Sequence, residues 1–219
     1  MILADERQAV VDGGLALLKA GLVTGTSGNL SCMRPQRDLI AVSPSGLAYP
    51  DMRPADVVVV DLAGQHVDGR LAPSSELELH LALYRRRPEA LAVVHTHSVY
   101  ATTLACLGWE IPAVHYLVGF AGRRVPLAPY ATFGTPELAA AVAATMGTAQ
   151  RAVLMAHHGL VAIGRDLAAA LNTAEAVEFV ARIYCQARSL GQPAVIDDAE
   201  MDRVMERFGR YGQSRPADA

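Results

Sequence analysis

The sequence predicts a mixed α/β fold, a largely antiparallel sheet with helices on its faces. Strand-like runs and helical stretches intermingle along the chain without the strict alternation that builds a parallel sheet. Several neighbouring strand-like runs are joined by short turns, which suit antiparallel pairs. The 219 residues are 52% hydrophobic and 19% charged, enough for one domain with a substantial core.

An amphipathic helix is expected over residues 5–20, ended by Gly21, which suits the left-handed position after a helix. The loop Gly25-Thr26-Ser27-Gly28-Asn29 follows, then strand-like residues 30–33 and 39–42 and a turn at Ser43-Pro44-Ser45-Gly46. Residues 57–61 read as a strand, and residues 62–71, with Gly64 and Gly69, hold a hairpin-like turn. Ser75 and Glu78 satisfy the capping-box pattern and place a helix near 76–86. A buried strand over 91–94 leads through His95-Thr96-His97 into a short helix near 99–107. Strand-like pieces are expected at 113–118 and 125–128, a helix at 135–146, and strands at 152–156 and 160–163. A long helix over 166–190 and a last helix over 197–207 complete the chain, and residues 212–219 read as a flexible tail.

Net charge is −3 with no basic block, so neither nucleic acid nor an anionic membrane is an expected partner. Residues 91–109 carry no formal charge, but their histidine, serine and threonine content is too polar for a lipid span. Asp5 and Glu6 stand where an export signal needs basic residues, and Cys32, Cys106 and Cys185 are odd in number and widely spaced. Both point to a reduced, cytoplasmic setting. The mean hydropathy of +0.22 fits a protein that buries further surface in an oligomer.

His95 and His97 are the first chemical signal. Residues i and i+2 of a strand face the same side, roughly 7 Å apart at the root, close enough to converge on one ion. His157 and His158 follow a second apolar run. Any one of these histidines alone would be an ordinary strand-end residue. Five of the seven histidines (His95, His97, His115, His157, His158) lie within or near two such segments, which favours a metal. Three imidazoles and a carboxylate make a zinc-type ligand set with room for substrate. Glu76 is the carboxylate to examine, as ligand or as general base. Ser74 and Ser75 sit at a helix start, and Thr26 to Asn29 and Ser43 to Gly46 are loops of glycine and small hydroxyl residues. All three have the character of a phosphate cradle. Tyr116 and Tyr211 are candidate proton donors.

The ordered series of motifs resembles the zinc-dependent class II aldolase/adducin-head family, most closely its L-fuculose-1-phosphate aldolase branch. The motifs are Gly25 to Asn29, Ser43 to Gly46, Pro73 to Glu76, His95-Thr96-His97, Pro112 to Tyr116, Pro129 to Gly134 and His157-His158-Gly159. The resemblance implies a three-layer α/β/α fold with a mainly antiparallel sheet, with residues 1–211 as the catalytic domain. It implies zinc held by His95, His97, His158 and Glu76, with His157 pointing away. Thr26, Ser27, Gly28, Asn29, Ser45, Gly46, Ser74 and Ser75 would hold a substrate phosphate. Tyr116 and Tyr211 would serve the aldehyde end, Tyr211 on a neighbouring subunit of a homotetramer with sites between subunits. Ser45 stands where the family usually has threonine, and residues 117–122 depart from its alanine-rich segment, with Phe120 placed to reshape the aldehyde end.

The activity so implied is retro-aldol cleavage of a ketose 1-phosphate, foremost L-fuculose 1-phosphate, to dihydroxyacetone phosphate and L-lactaldehyde. The family also includes aldolases for 5-deoxypentulose 1-phosphates, sugar-phosphate 4-epimerases, a methylthioribulose-1-phosphate dehydratase and the non-enzymatic adducin head. Glu76 speaks against the epimerases, which carry aspartate there, and the retained histidines speak against a scaffold.

Overall fold

A computed structural model of the chain describes residues 1–34, 36 and 38–210. In chain order the strands are β1 (Asn29–Arg34), β2 (Leu39–Val42), β3 (Val58–Asp61), β4 (His66–Asp68), β5 (Ala92–Thr96), β6 (Leu127–Ala128), β7 (Ala152–Met155) and β8 (Gly159–Gly164). The helices are α1 (Ala4–Lys19), α2 (Leu77–Arg86), α3 (Val99–Cys106), α4 (Pro136–Met146), α5 (Leu167–Leu190) and α6 (Asp198–Phe208). The strands form one sheet in the order β4-β3-β2-β1-β5-β8-β7-β6. Every pairing is antiparallel except β6 with β7.

Strand residues alternate between two cores, as a pleated sheet covered on both faces requires. Ala41, Val59, Val94, Leu154 and Leu160 enter the core shared with α1, α3 and α5. Ile40, Val58, Val60, Val93, Val153 and Val161 enter the core shared with α2 and α4. The result is the α/β/α layering. Side-chain caps start α4, α5 and α6. Thr135, Asp166 and Asp197 accept from the backbone N–H of Leu138, Ala169 and Glu200. No helix among the described residues is long and apolar enough to cross a membrane.

Two expectations need correction. Residues 113–118 are not a strand. They run into a 3-10 turn, Tyr116–Phe120, because the nearby sheet edge is taken by β6 on β7 and only Ile111 bridges to Val125. An apolar run that packs under helices has the same composition as a strand. Ser75 does not cap α2. The cap position is Glu76, and it is Ser74 Oγ that accepts from the Glu76 N–H, at 3.2 Å. His157 and His158 lie, as the flanking strands imply, in the tight turn between β7 and β8, where His157 has a left-handed φ of 55°.

One end of the sheet centre gathers the polar residues. Asn29 at the start of β1 pairs in register with His95 near the end of β5. The α2 start lies above them, and the β7–β8 turn beside them.

Candidate active site

His95 is fully buried on β5, and its Nδ1 lies 2.9 Å from the Leu160 carbonyl on the adjacent β8. A carbonyl only accepts, so the ring carries its proton on Nδ1 and turns the Nε2 lone pair toward the site. That Nε2 is 2.9 Å from His97 Nε2 and 3.2 Å from Glu76 Oε2. His158 Nε2 is 3.4 Å from Glu76 Oε1. The potential ligand atoms of His95, His97 and His158 all lie within 4.8 Å of one another.

The His95 lone pair therefore faces a carboxylate oxygen, which is also an acceptor, as well as the His97 ring nitrogen. Burial, and then neighbouring imidazoles, pull His97 and His158 from 6.5 down to about 4, so both are neutral at pH 7. Glu76 is buried, and its Oε1 has no hydrogen-bond partner among the described residues. Buried acceptors left without a donor are costly. A divalent cation removes the conflict, and three imidazole nitrogens with one carboxylate oxygen suit such an ion. Burial would raise the Glu76 carboxyl, but positive charge at the imidazole cluster and the Asn29 hydrogen bond favour its ionised form more strongly. Glu76 stays ionised, held well below the usual carboxylate range.

The cluster floors a cavity of about 450 Å³. Thr26, Ser27, Gly28, Asn29, Ser45, Gly46, Ser74 and Ser75 line one wall, with Glu76, His97 and His158 at the base. Tyr130, Phe133 and His157 also line the cavity. No lysine or arginine among the described residues lines it, so an anion there meets neutral N–H and hydroxyl donors and the start of α2. Two glycines permit this closeness. Gly28 has φ +73°, and a Cβ on it would lie 2.7 Å from the His95 carbonyl oxygen. A Cβ on Gly159 would lie 2.3 Å from the Thr96 carbonyl oxygen and touch both the His95 and His97 rings.

The residues picked out in the sequence divide into three groups. Thr26 to Asn29, Ser45, Gly46, Ser74, Ser75, Glu76, His97 and His158 share the cavity, with His95 buried at its base. Tyr116 is half exposed and packs on His115 and Phe208, away from the cavity lining. Phe120 stacks on Phe208 with ring centres 4.3 Å apart, so it does not shape this cavity within one chain. Tyr211 lies outside the described residues.

Other placements depend on tertiary structure. His157 is outside the imidazole cluster because of its turn conformation, yet it lines the cavity beside Tyr130, 6.0 Å between ring centres. Asn29 is 5% exposed, and its amide bonds Glu76 Oε2 at 2.9 Å and His80 Nε2 at 2.6 Å. The sequence does hold a signal for His80: it stands four residues after Glu76, on the same helical face. Tyr130 and Phe133 belong to the Pro129 to Gly134 motif, which residue type alone gives no role. They are exposed aromatics, and they line the cavity.

The chain matches the family described as Class II Aldolase and Adducin N-terminal domain over residues 8–185. It is 46% identical over 213 residues to the 5-deoxy-D-ribulose 1-phosphate aldolase of Bacillus thuringiensis serovar kurstaki, covering 97% of this chain and all of that one. It is 41% identical over 209 residues to the 5-methylthioribulose-1-phosphate/5-deoxyribulose-1-phosphate aldolase of Rhodospirillum rubrum, covering 95% of this chain and 93% of that one. A solved L-fuculose 1-phosphate aldolase superposes with a TM-score of 0.92 at 42% identity, over 95% of this chain and 98% of the other. Full-length similarity, layering and sheet agree, and the chain belongs to the class II aldolase and adducin N-terminal domain family, among its aldolases, which are lyases.

Proposed function

We propose that the enzyme cleaves a ketose 1-phosphate between C3 and C4, releasing dihydroxyacetone phosphate and a small aldehyde, with zinc as its metal. The observation that carries this is the joining, in one cavity, of a carboxylate–imidazole cluster to a wall of neutral anion donors. That combination suits a substrate with a phosphate at one end and vicinal oxygens at the other. When bound, the metal ion supplies positive charge to the oxygens of the three-carbon fragment as the bond breaks.

The chain's own groups do the rest. Thr26 to Asn29, Ser45, Gly46, Ser74 and Ser75 seat the phosphate and so fix C3 over Glu76. Glu76 moves the proton at C3, taking it in condensation and returning it in cleavage. Tyr116 and Tyr211, contributed by neighbouring subunits of a homotetramer, handle the proton on the aldehyde oxygen. We place the enzyme in the cytoplasm, without nucleic-acid or membrane partners.

For the aldehyde half, the relative that is 46% identical over its whole length favours 5-deoxyribulose 1-phosphate, which breaks to acetaldehyde. L-fuculose 1-phosphate, giving L-lactaldehyde, is the second reading, supported by the motif series and by the close superposition. Incubation of the zinc-loaded enzyme with both ketose 1-phosphates, following dihydroxyacetone phosphate and each aldehyde, tests the proposal. We expect both to be cleaved, the deoxypentulose with the higher kcat/KM. Absence of dihydroxyacetone phosphate from either substrate would sink the aldolase assignment for ketose 1-phosphates.

A further inference from the structure

Beneath the cavity runs a buried chain of hydrogen bonds that the reaction as described does not use. Tyr84 Oη lies 2.7 Å from Ser31 Oγ, Ser31 Oγ 2.7 Å from His80 Nδ1, and His80 Nε2 2.6 Å from Asn29 Oδ1. Asn29 Nδ2 then reaches Glu76 Oε2 at 2.9 Å. Ser31 and His80 are fully buried, and Tyr84 is 2% exposed.

The carboxylate end sets the direction of every link. An ionised Glu76 only accepts, so Asn29 turns its NH2 to it and its carbonyl to His80. His80 must then donate from Nε2. Burial pulls His80 from 6.5 to about 3, so it is neutral and its Nδ1 is an acceptor. Ser31 donates to that Nδ1, and the Ser31 oxygen in turn accepts from Tyr84. With His80 neutral and Glu76 ionised, no other arrangement of protons satisfies all four links.

We propose that His80 is a positioning residue, held in its Nε2–H tautomer by Ser31 and Tyr84, and that it locks the Asn29 amide so that Glu76 keeps one fixed orientation toward C3. With the opposite tautomer, or with none, Asn29 is free to turn its carbonyl to Glu76, where two oxygens repel. Glu76 Oε1 meanwhile stays without a hydrogen bond among the described residues, so one oxygen is anchored and the other is left for chemistry. The catalytic consequence rests on Glu76 being the group that moves the C3 proton.

The test has a spectroscopic and a kinetic arm. Long-range proton–nitrogen NMR of metal-free wild type should show His80 neutral with its proton on Nε2. A proton on Nδ1 overturns the proposal. His80→Phe should keep zinc content and KM while slowing deuterium exchange at C3 of dihydroxyacetone phosphate roughly 10–100-fold, the range for lost partners behind a metal site. His80→Gln, whose amide both donates and accepts, should recover most of the rate. Wild-type exchange in His80→Phe, with exchange blocked in Glu76→Gln, overturns the role of His80 alone. Wild-type exchange in Glu76→Gln overturns the assignment of Glu76 instead. If His80→Phe does not fold, Ser31→Ala decides. A mixed His80 tautomer with slower exchange supports the proposal, and an unchanged spectrum and rate overturn it.

Discussion

Ser75 and Asn29 stand on the same wall of the cavity but are bound to different things. Ser75 is exposed there and makes no hydrogen bond that shapes the cluster, whereas the Asn29 amide is committed to Glu76 and His80. Ser75→Ala should therefore raise KM for a ketose 1-phosphate and leave the unphosphorylated ketose unaffected. Asn29→Ala should lower kcat on both, because it releases the Glu76 carboxylate. Steady-state kinetics on the two substrates separate these outcomes, and equal losses for Ser75→Ala on both would remove it from phosphate recognition. The sequence made the histidines, Glu76 and the three loops legible through residue type and spacing. It did not reveal the second duty of Asn29. That duty depends on Asn29 and His95 being register partners across β1 and β5, and on α2 carrying His80 to the same point.

At the scale of elements, local signals located what they physically govern. Caps at Thr135, Asp166 and Asp197, and strand runs with clear turns, appear within a residue or two of where the pattern puts them. Residues 113–118 failed because pairing depends on a free sheet edge, which no local pattern encodes. The β7–β8 turn is another tertiary feature, since Gly159 is pressed against Thr96 and two imidazoles. Gly159→Ala should cost about 1–3 kcal/mol by overpacking and reduce zinc stoichiometry by elemental analysis. Gly191→Ala, with open space and an extended backbone, is its control. A Gly159→Ala enzyme with full zinc and unchanged melting would show that the turn yields. On α2, His80 carries a pH signature. Its folded value, about 3, lies below the ordinary 6.5, so the unfolded chain takes up a proton that the native state refuses. Stability is complete above 6.5 and lost as pH falls toward 3. His97 and His158 act in the same direction down to about 4. The melting temperature of metal-free protein should fall through this window, and less steeply in His80→Gln. Parallel curves for the two would contradict the burial cost assigned to His80.

For the whole molecule, part of the cavity lining is exposed aromatic surface, with Tyr130 at 63% and Phe133 at 64%. We expect the site to be completed in an assembly of four 23.2 kDa chains, Tyr116 and Tyr211 reaching a neighbour. Deleting residues 211–219 should leave zinc content and light-scattering mass unchanged. It should strongly reduce aldehyde-dependent turnover while sparing deuterium exchange, which needs only the metal and Glu76. Unchanged turnover would make the tail dispensable.

The strand order has a further consequence, for the moment at which the metal can enter. Glu76 sits on the α2 start, His95 on β5 and His158 past β7, and β5 lies between β1 and β8. No contiguous stretch of the chain holds the full ligand set, so a newly made or denatured polypeptide offers only fragments of it. Tight binding must wait until the α2 start, β5 and the β7–β8 turn are brought together, and its free energy then falls on the completed topology. Cobalt in place of zinc would turn this into a visible clock. During refolding its absorption band should rise only with the slowest phase of sheet formation seen by circular dichroism. A band that appears earlier would mean that part of the ligand set assembles before the central strands have met.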